Sequence, residues 1–160
     1  MIEENEYDHA QIKERVTAVV KKAEKGDIHS MLILACLYSK GKFYAKDYFA
    51  AEAWLRKAAE LGSSEANKEL AKLLSEGNGV AQDLEEAFDI NYELMLDCDI
   101  DAMAEVGMAY KLGKGIEKNE KQGSFYILQA FDLELDNMRE DLKASQNKPK
   151  KSSGTGNKKR

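Results

Sequence analysis

Apolar residues recur along this chain first with the period of a helix and then with the longer period of a repeat. Between Gln11 and Gly26 the run Val16, Val19, Val20 and Ala23 keeps to one helical face. Beyond it, sliding the sequence by 36 residues superposes Leu34, Leu70 and Val106; Ala35, Ala71 and Gly107; and Tyr38, Leu74 and Tyr110. Small residues (Ser30, Ala66, Ala102), glycines (Gly41, Gly77, Gly113) and polar residues (Asp47, Asp83, Asn119) fall into the same register. A fixed period of about 20 to 50 residues marks a solenoid, whose units are stabilised by stacking on one another.

Each unit reads as a helix pair. The pattern predicts helix A at Ile28 to Lys40 and helix B at Asp47 to Leu61. The second pair spans Glu65 to Glu76 and Asp83 to Leu96, and the third Asp101 to Leu112 and Asn119 to about Leu133. Gly62 closes a helix B and Ser63 is placed to cap the next helix. Ala35, Ala71 and Gly107 sit where helix A approaches its helix B at about 8 Å. A glycine inside a helix costs about 1 kcal/mol against alanine, so Gly107 points to a close approach. Val20, Lys21, Ala23 and Gly26 match Arg56, Lys57, Ala59 and Gly62, which makes Gln11 to Gly26 an unpartnered second helix capping the N-terminal end. A capping half-repeat is expected over Asn137 to Gln146, with Leu142 in register with Leu34, Leu70 and Val106 and a wet face of Arg139, Glu140, Lys143 and Gln146. The expected fold is all-α: a right-handed solenoid of antiparallel helix pairs, about three 36-residue repeats with half-repeat caps.

Three segments carry a family resemblance: Ser30 to Tyr38; Gly77, Gly79, Val80 and Asp83; and Ala51, Trp54, Lys57, Ala58, Ala59 and Gly62. Their pattern resembles the Sel1-like repeat, a relative of the tetratricopeptide repeat, over roughly residues 12 to 135. The resemblance implies a scaffold for protein partners, with helix A of each repeat lining a concave face. It does not name an activity. Some secreted members carry cysteine pairs within each repeat, whereas Cys36 and Cys98 fall at unrelated repeat positions, so no structural disulfide is expected.

With 43% hydrophobic residues and a single proline, 160 residues suffice for one domain with a continuous core. The chain divides into an acidic extension (1–10), the repeat domain (11–146) and a basic tail (147–160), expected to be disordered on composition. The tail holds six basic residues and no acidic one; without it a net charge of −5 becomes −11. It reads as a solubilising segment or a contact with the acidic body, with nucleic acid or membrane as the sharper alternatives. The acidic body itself repels nucleic acid. Met1 to His9 lacks the basic start and apolar run of a signal peptide, and the run Met31 to Tyr38 is far short of the roughly 18 residues a membrane span requires. A cytoplasmic protein without a membrane span is expected; oligomeric state is not legible.

Candidate chemistry does not survive inspection. Asp97 to Asp101 imitates the start of a calcium loop, but Ala102 stands where glycine is required and Met108 where a glutamate belongs. His29 and Cys36 lie seven residues apart, about 10 Å along a helix, too far for a nucleophile and its base. Gly77 and Gly113 open Gly-x-Gly turns between helices and follow no strand, so no phosphate loop is read there. His9 has no neighbouring histidine or cysteine in sequence. The serine–lysine hydrolytic site described for some cysteine-rich relatives is not carried over. No catalysis, cofactor or metal is expected.

Two functions remain. The first is a protein or peptide binding module, an adaptor or regulatory scaffold. By the family's register its partner-binding residues are His29, Leu32, Cys36, Ser39 and Lys40; Glu65, Lys68, Lys72, Ser75 and Glu76; and Asp101, Ala104, Met108, Lys111 and Leu112. Polar Lys68 and Lys72 between flanking apolar positions suit an extended peptide or helix with acidic groups between apolar anchors. The alternative is an inhibitor, such as a bacterial immunity protein, that covers a basic toxin or enzyme with an acidic face. Asp83, Glu86, Asp89, Glu93 and Asp97 would form it, in a stretch without lysine or arginine. Finally, Phe43, Tyr44, Tyr48 and Phe49 crowd one turn, where Phe43 replaces the second glycine of Gly-x-Gly. A folded plug is expected there, with Phe43 and Tyr48 as secondary recognition candidates.

Overall fold

The computed structural model describes residues 9–146, and among them seven helices follow one another with no strand. They are α1 (His9–Ala23), α2 (Ile28–Lys40), α3 (Tyr48–Glu60), α4 (Ser64–Glu76), α5 (Leu84–Leu96), α6 (Ile100–Leu112) and α7 (Glu120–Gln146). Each packs chiefly on its sequence neighbours, the arrangement of an α-solenoid. The N-terminal half-repeat is α1; the three A helices are α2, α4 and α6. The basic tail, and the acidic extension up to residue 8, lie outside the described residues.

Local chemistry explains where the helices begin. Asp27, Asp47, Ser63, Asp83 and Asp99 stand in extended backbone and accept from the amides of Ser30, Ala50, Ala66, Glu86 and Ala102. Asn119 accepts from the Gln122 amide in the same way at 3.1 Å. Each such cap satisfies an orphan helix donor and contributes about 1 kcal/mol. The amides of Asp47, Asp83 and Asn119 also donate to the carbonyls of Tyr38, Leu74 and Tyr110 at 3.0, 3.1 and 2.7 Å. The residue that opens helix B is thereby tied to the last turn of helix A.

The turn from helix B to the next helix A needs a residue at positive φ. Gly26, Gly62 and Cys98, one period apart, have φ of 93°, 86° and 67°. The amides that follow, of Asp27, Ser63 and Asp99, fold back onto the carbonyls of Lys22, Ala58 and Leu94. Cys98 takes this shape against the preference of an L side chain, a strain of roughly 1–2 kcal/mol. One period further stands Glu134, and there the chain does not turn: α7 runs through it for 27 residues. The expectation of a separate capping helix over Asn137 to Gln146 is therefore corrected, because those residues continue α7. Leu142, expected at a core position, is exposed.

The core follows the repeat. Leu34, Leu70 and Val106 are buried, as are Ala35, Ala71 and Gly107. The reason for glycine at 107 is visible: a Cβ there would lie 2.8 Å from Ile127 Cγ1 and 2.9 Å from the Gly123 carbonyl oxygen. At this crossing α6 and α7 meet backbone to backbone. The buried residues form two clusters, one built from α1 to α5 and one from α5 to α7, with half-buried Ile90 packed against both.

Half of the expected aromatic plug is present. Tyr44 stacks on Tyr38 at 4.7 Å between ring centroids, and Tyr48 lies against Gly79, where any side chain would collide with its ring. Phe43, at φ 70° where its counterparts are Gly79 and Gly115, is exposed, and so is Phe49.

Leu70→Ala is expected to cost about 2–5 kcal/mol in a urea unfolding titration through lost burial and the cavity left behind. Cys98→Gly is expected to act in the opposite direction, raising stability by about 1 kcal/mol as the strained left-handed residue is relieved.

Candidate functional site: a groove of two hollows

Helices α2, α4 and α6 turn one face toward a groove that contains two hollows. The first, of about 640 Å³, lies between α2, α3 and α4; Leu32, Ile33, Tyr48, Leu55 and Leu73 give it an apolar floor. His29, Cys36, Ser39, Lys40, Glu65, Glu69, Lys72 and Glu76 complete its lining. The second, of about 620 Å³, lies between α4, α5 and α6. Leu84, Phe88, Met108 and Leu112 line it with Lys68, Ser75, Asn91, Asp101, Glu105 and Lys114. Lys72 and Glu76 line both hollows and form the ridge between them.

The hollows are one period apart, and their geometry sorts the expected residues. Positions 32 and 39 on α2, repeated as 68 and 75 on α4, face downstream toward the next A helix. Positions 65 and 69 on α4, repeated as 101 and 105 on α6, face upstream. Every expected groove residue lines a hollow except Ala104 and Lys111. Those two occupy the downstream positions of α6, and among the described residues no further A helix follows to close a third hollow. Ala104 packs partly buried against the second core cluster, and the Lys111 backbone lies beside Gly123 of α7. Glu69 and Glu105 were missed, although each stands one helical turn after an expected residue, Glu65 or Asp101. Of the floor residues from the B helices, Tyr48 was expected as a secondary candidate, while Leu55 and Phe88 have no such signal, because only the packing brings them under the groove.

Charge in the groove is not all free. Lys68 Nζ lies 3.1 Å from Asp99 Oδ2, so this lysine is held by the residue that caps α6. Its side-chain bond to Asp99 raises its pKa. Burial alone would raise Asp99, but the Ala102 amide and the Lys68 ammonium outweigh it and hold the carboxyl below its usual range. Of the two central lysines, Lys68 is thus tied to the fold, while exposed Lys72 makes no salt bridge among the described residues.

The acidic face is also partly spoken for. Glu86 receives both guanidinium arms of Arg56, at 2.5 and 2.9 Å, while Arg56 Nε reaches Glu52 at 2.8 Å. The counter-charge missing from the sequence stretch is thus supplied by the preceding repeat. Asp83 is committed as the cap of α5, and Asp97 stands at that helix's C-terminal end. Asp89 and Glu93 are exposed.

Cys36 and Cys98 are free and exposed. Ser39 and Lys42 have the spacing of a serine–lysine pair, but Gly41 ends α2 between them, so they are not one helical turn apart on a common face. The Ser39 hydroxyl instead donates to the Cys36 carbonyl at 3.1 Å. Among the described residues no three His, Cys, Asp or Glu side chains are grouped to hold a metal, and no helix is long and apolar enough to cross a membrane.

Stacked antiparallel helix pairs with a groove along their A helices define an α-solenoid. The chain belongs to the Sel1 repeat family, whose profile matches residues 28–63, 64–89 and 100–134. Among solved structures it is similar to a Sel1 repeat protein from Oxalobacter formigenes, with 30% identity and a TM-score of 0.65 over 76% of this chain and 49% of that one. It also resembles Helicobacter pylori cysteine rich protein B, at 25% identity and a TM-score of 0.53, over 77% of this chain and 88% of that one. A protective antigen of uropathogenic Escherichia coli with an SLR fold shares the fold, at 22% identity and a TM-score of 0.67 over 74% of this chain and 25% of that one. The chain thus spans about half the length of the first relative and a quarter of the antigen. No curated protein matches it. Sel1 repeat proteins generally mediate protein–protein interaction.

The Arg56–Glu86 pair yields a pH prediction. Its hydrogen bonds to Arg56 hold the Glu86 carboxyl below the usual glutamate range, so the folded state binds the proton less readily than the unfolded one. The pair's stabilisation is then present above the unfolded pKa and lost as pH falls through the folded pKa. At neutral pH Glu86→Gln should cost no more than about 1 kcal/mol, since the pair is partly exposed. Thermal unfolding of both proteins should show that difference vanish in acid.

Proposed function

We propose that the chain is a non-enzymatic binding module that holds a partner segment along the groove of α2, α4 and α6. The observation that carries this reading is the ridge of Lys72 and Glu76 between two hollows with apolar floors. An extended peptide or a helix could seat one apolar side chain in each hollow and set an acidic group against Lys72. Carboxylates in the linings match or outnumber the lysines, so apolar anchoring supplies the affinity and Lys72 fixes the register. As adaptor or regulatory scaffold the module would act by holding that segment.

The inhibitor reading, in which the acidic face of α5 covers a basic toxin or enzyme, has less to rest on, because Glu86 and Asp83 already serve the fold. Its working residues would be Asp89 and Glu93.

Selection from a displayed peptide library decides between the two surfaces. Peptides with an acidic residue between apolar ones should be enriched, and Lys72→Glu should weaken them about tenfold or more, as attraction becomes repulsion at a central contact. Melting should change by less than about 0.5 kcal/mol, since Lys72 is exposed. Binding that survives Lys72→Glu and fails with Asp89→Asn/Glu93→Gln would move the site to α5.

A further inference from the structure

The last helix extends past its repeat with an apolar seam that nothing in the described chain covers. Leu128, Phe131, Leu135, Met138 and Leu142 follow one another at intervals of three, four, three and four residues on α7. Leu128 is 62% exposed, Phe131 57%, Met138 50% and Leu142 61%, while Leu135 is half-buried. This alternation is the heptad seam of a two-stranded coiled coil. At 3.6 residues per turn it lies about a third of a turn around α7 from Gly123, Tyr126 and Ala130, which pack toward α6. It is the face on which the next helix A would stack had the chain turned at Glu134. Instead α7 continues for a total of about 40 Å, leaving the seam beside the solenoid body and clear of it.

We infer that this seam pairs with α7 of a second copy of the chain in a parallel two-stranded coil. The charges beside the seam choose the occupant and its direction. Glu134 directly precedes seam residue Leu135, and Arg139 directly follows Met138. In a parallel pair those flanking positions meet across the seam, so Glu134 of each copy faces Arg139 of the partner subunit, twice by symmetry. No like-charged pair arises among the flanking residues in that register. An antiparallel pair would instead set Glu134 against Asp141 of the partner subunit and Arg139 against Asp132 of the partner subunit, so that repulsion offsets attraction. Among the described residues Arg139 pairs with exposed Asp136 alone, at 2.8 Å and three residues away, a contact of small energy that a dimer can exchange. Two-fold symmetry about the coil sets the two bodies on opposite sides of it.

Sedimentation equilibrium of the full chain tests this. The wild-type chain should dimerise reversibly. Leu135→Glu should leave it monomeric with an unchanged helical spectrum, and Leu142→Glu, nearer the helix end, should do the same should the first variant lose its fold. Glu134→Lys should weaken the dimer about fivefold, as two attractions become repulsions, and Glu134→Lys/Arg139→Glu should restore it. A wild-type chain still monomeric at about 1 mM overturns the proposal. So does a dimer that Leu135→Glu and Leu142→Glu leave intact, or one that Glu134→Lys strengthens, the result an antiparallel pair would give.

Discussion

One backbone constraint governs the molecule: a left-handed residue followed by a side-chain cap must end each helix B and start the next helix A. Gly26-Asp27, Gly62-Ser63 and Cys98-Asp99 meet it, the first residue supplying positive φ and the second an oxygen for an orphan amide. Where the pair becomes Glu134-Leu135 neither requirement is met, and the chain continues as helix. The groove, its number of hollows and the bare seam on α7 all follow from how many times that pair occurs.

The same turn couples fold to site. Asp99 caps α6 and also holds Lys68, so one carboxylate both starts a helix and removes a cation from the groove. Arg56 does the like on the other surface, linking α3 to α5 and neutralising Glu86. In a solenoid, charges one repeat apart are neighbours in space, and a stretch that looks unbalanced in sequence is balanced by the repeat before it.

The fold was legible because the period was: α2 to α6 lie within one residue of where periodicity put their ends, α7 begins within one residue of its expected start, and α1 is shifted two to three residues toward the N-terminus. Legibility failed where a residue type departed from the register. Cys98 stands at a glycine position and the turn expected there forms all the same, whereas Glu134 stands at the next one and the turn expected before Asn137 does not form. Groove positions were readable from helix faces, because 32, 36 and 39 repeat as 68, 72 and 75. Partnering was not readable: nothing in the spacing of Lys68 and Asp99, or of Arg56 and Glu86, distinguishes a bound charge from a free one. Lys111 was misplaced for a related reason, since its role depends on a helix beyond it.

Ile90 has a mechanical consequence. The two core clusters share it as a half-buried residue packed against both, with no fully buried residue in common. Contacts run chiefly between sequential helices, so a displacement of one helix reaches the rest of the solenoid through its neighbours in sequence. Helix α5, which carries Ile90, also walls the second hollow, so the residue that joins the two cores stands on the helix behind one of the two seats.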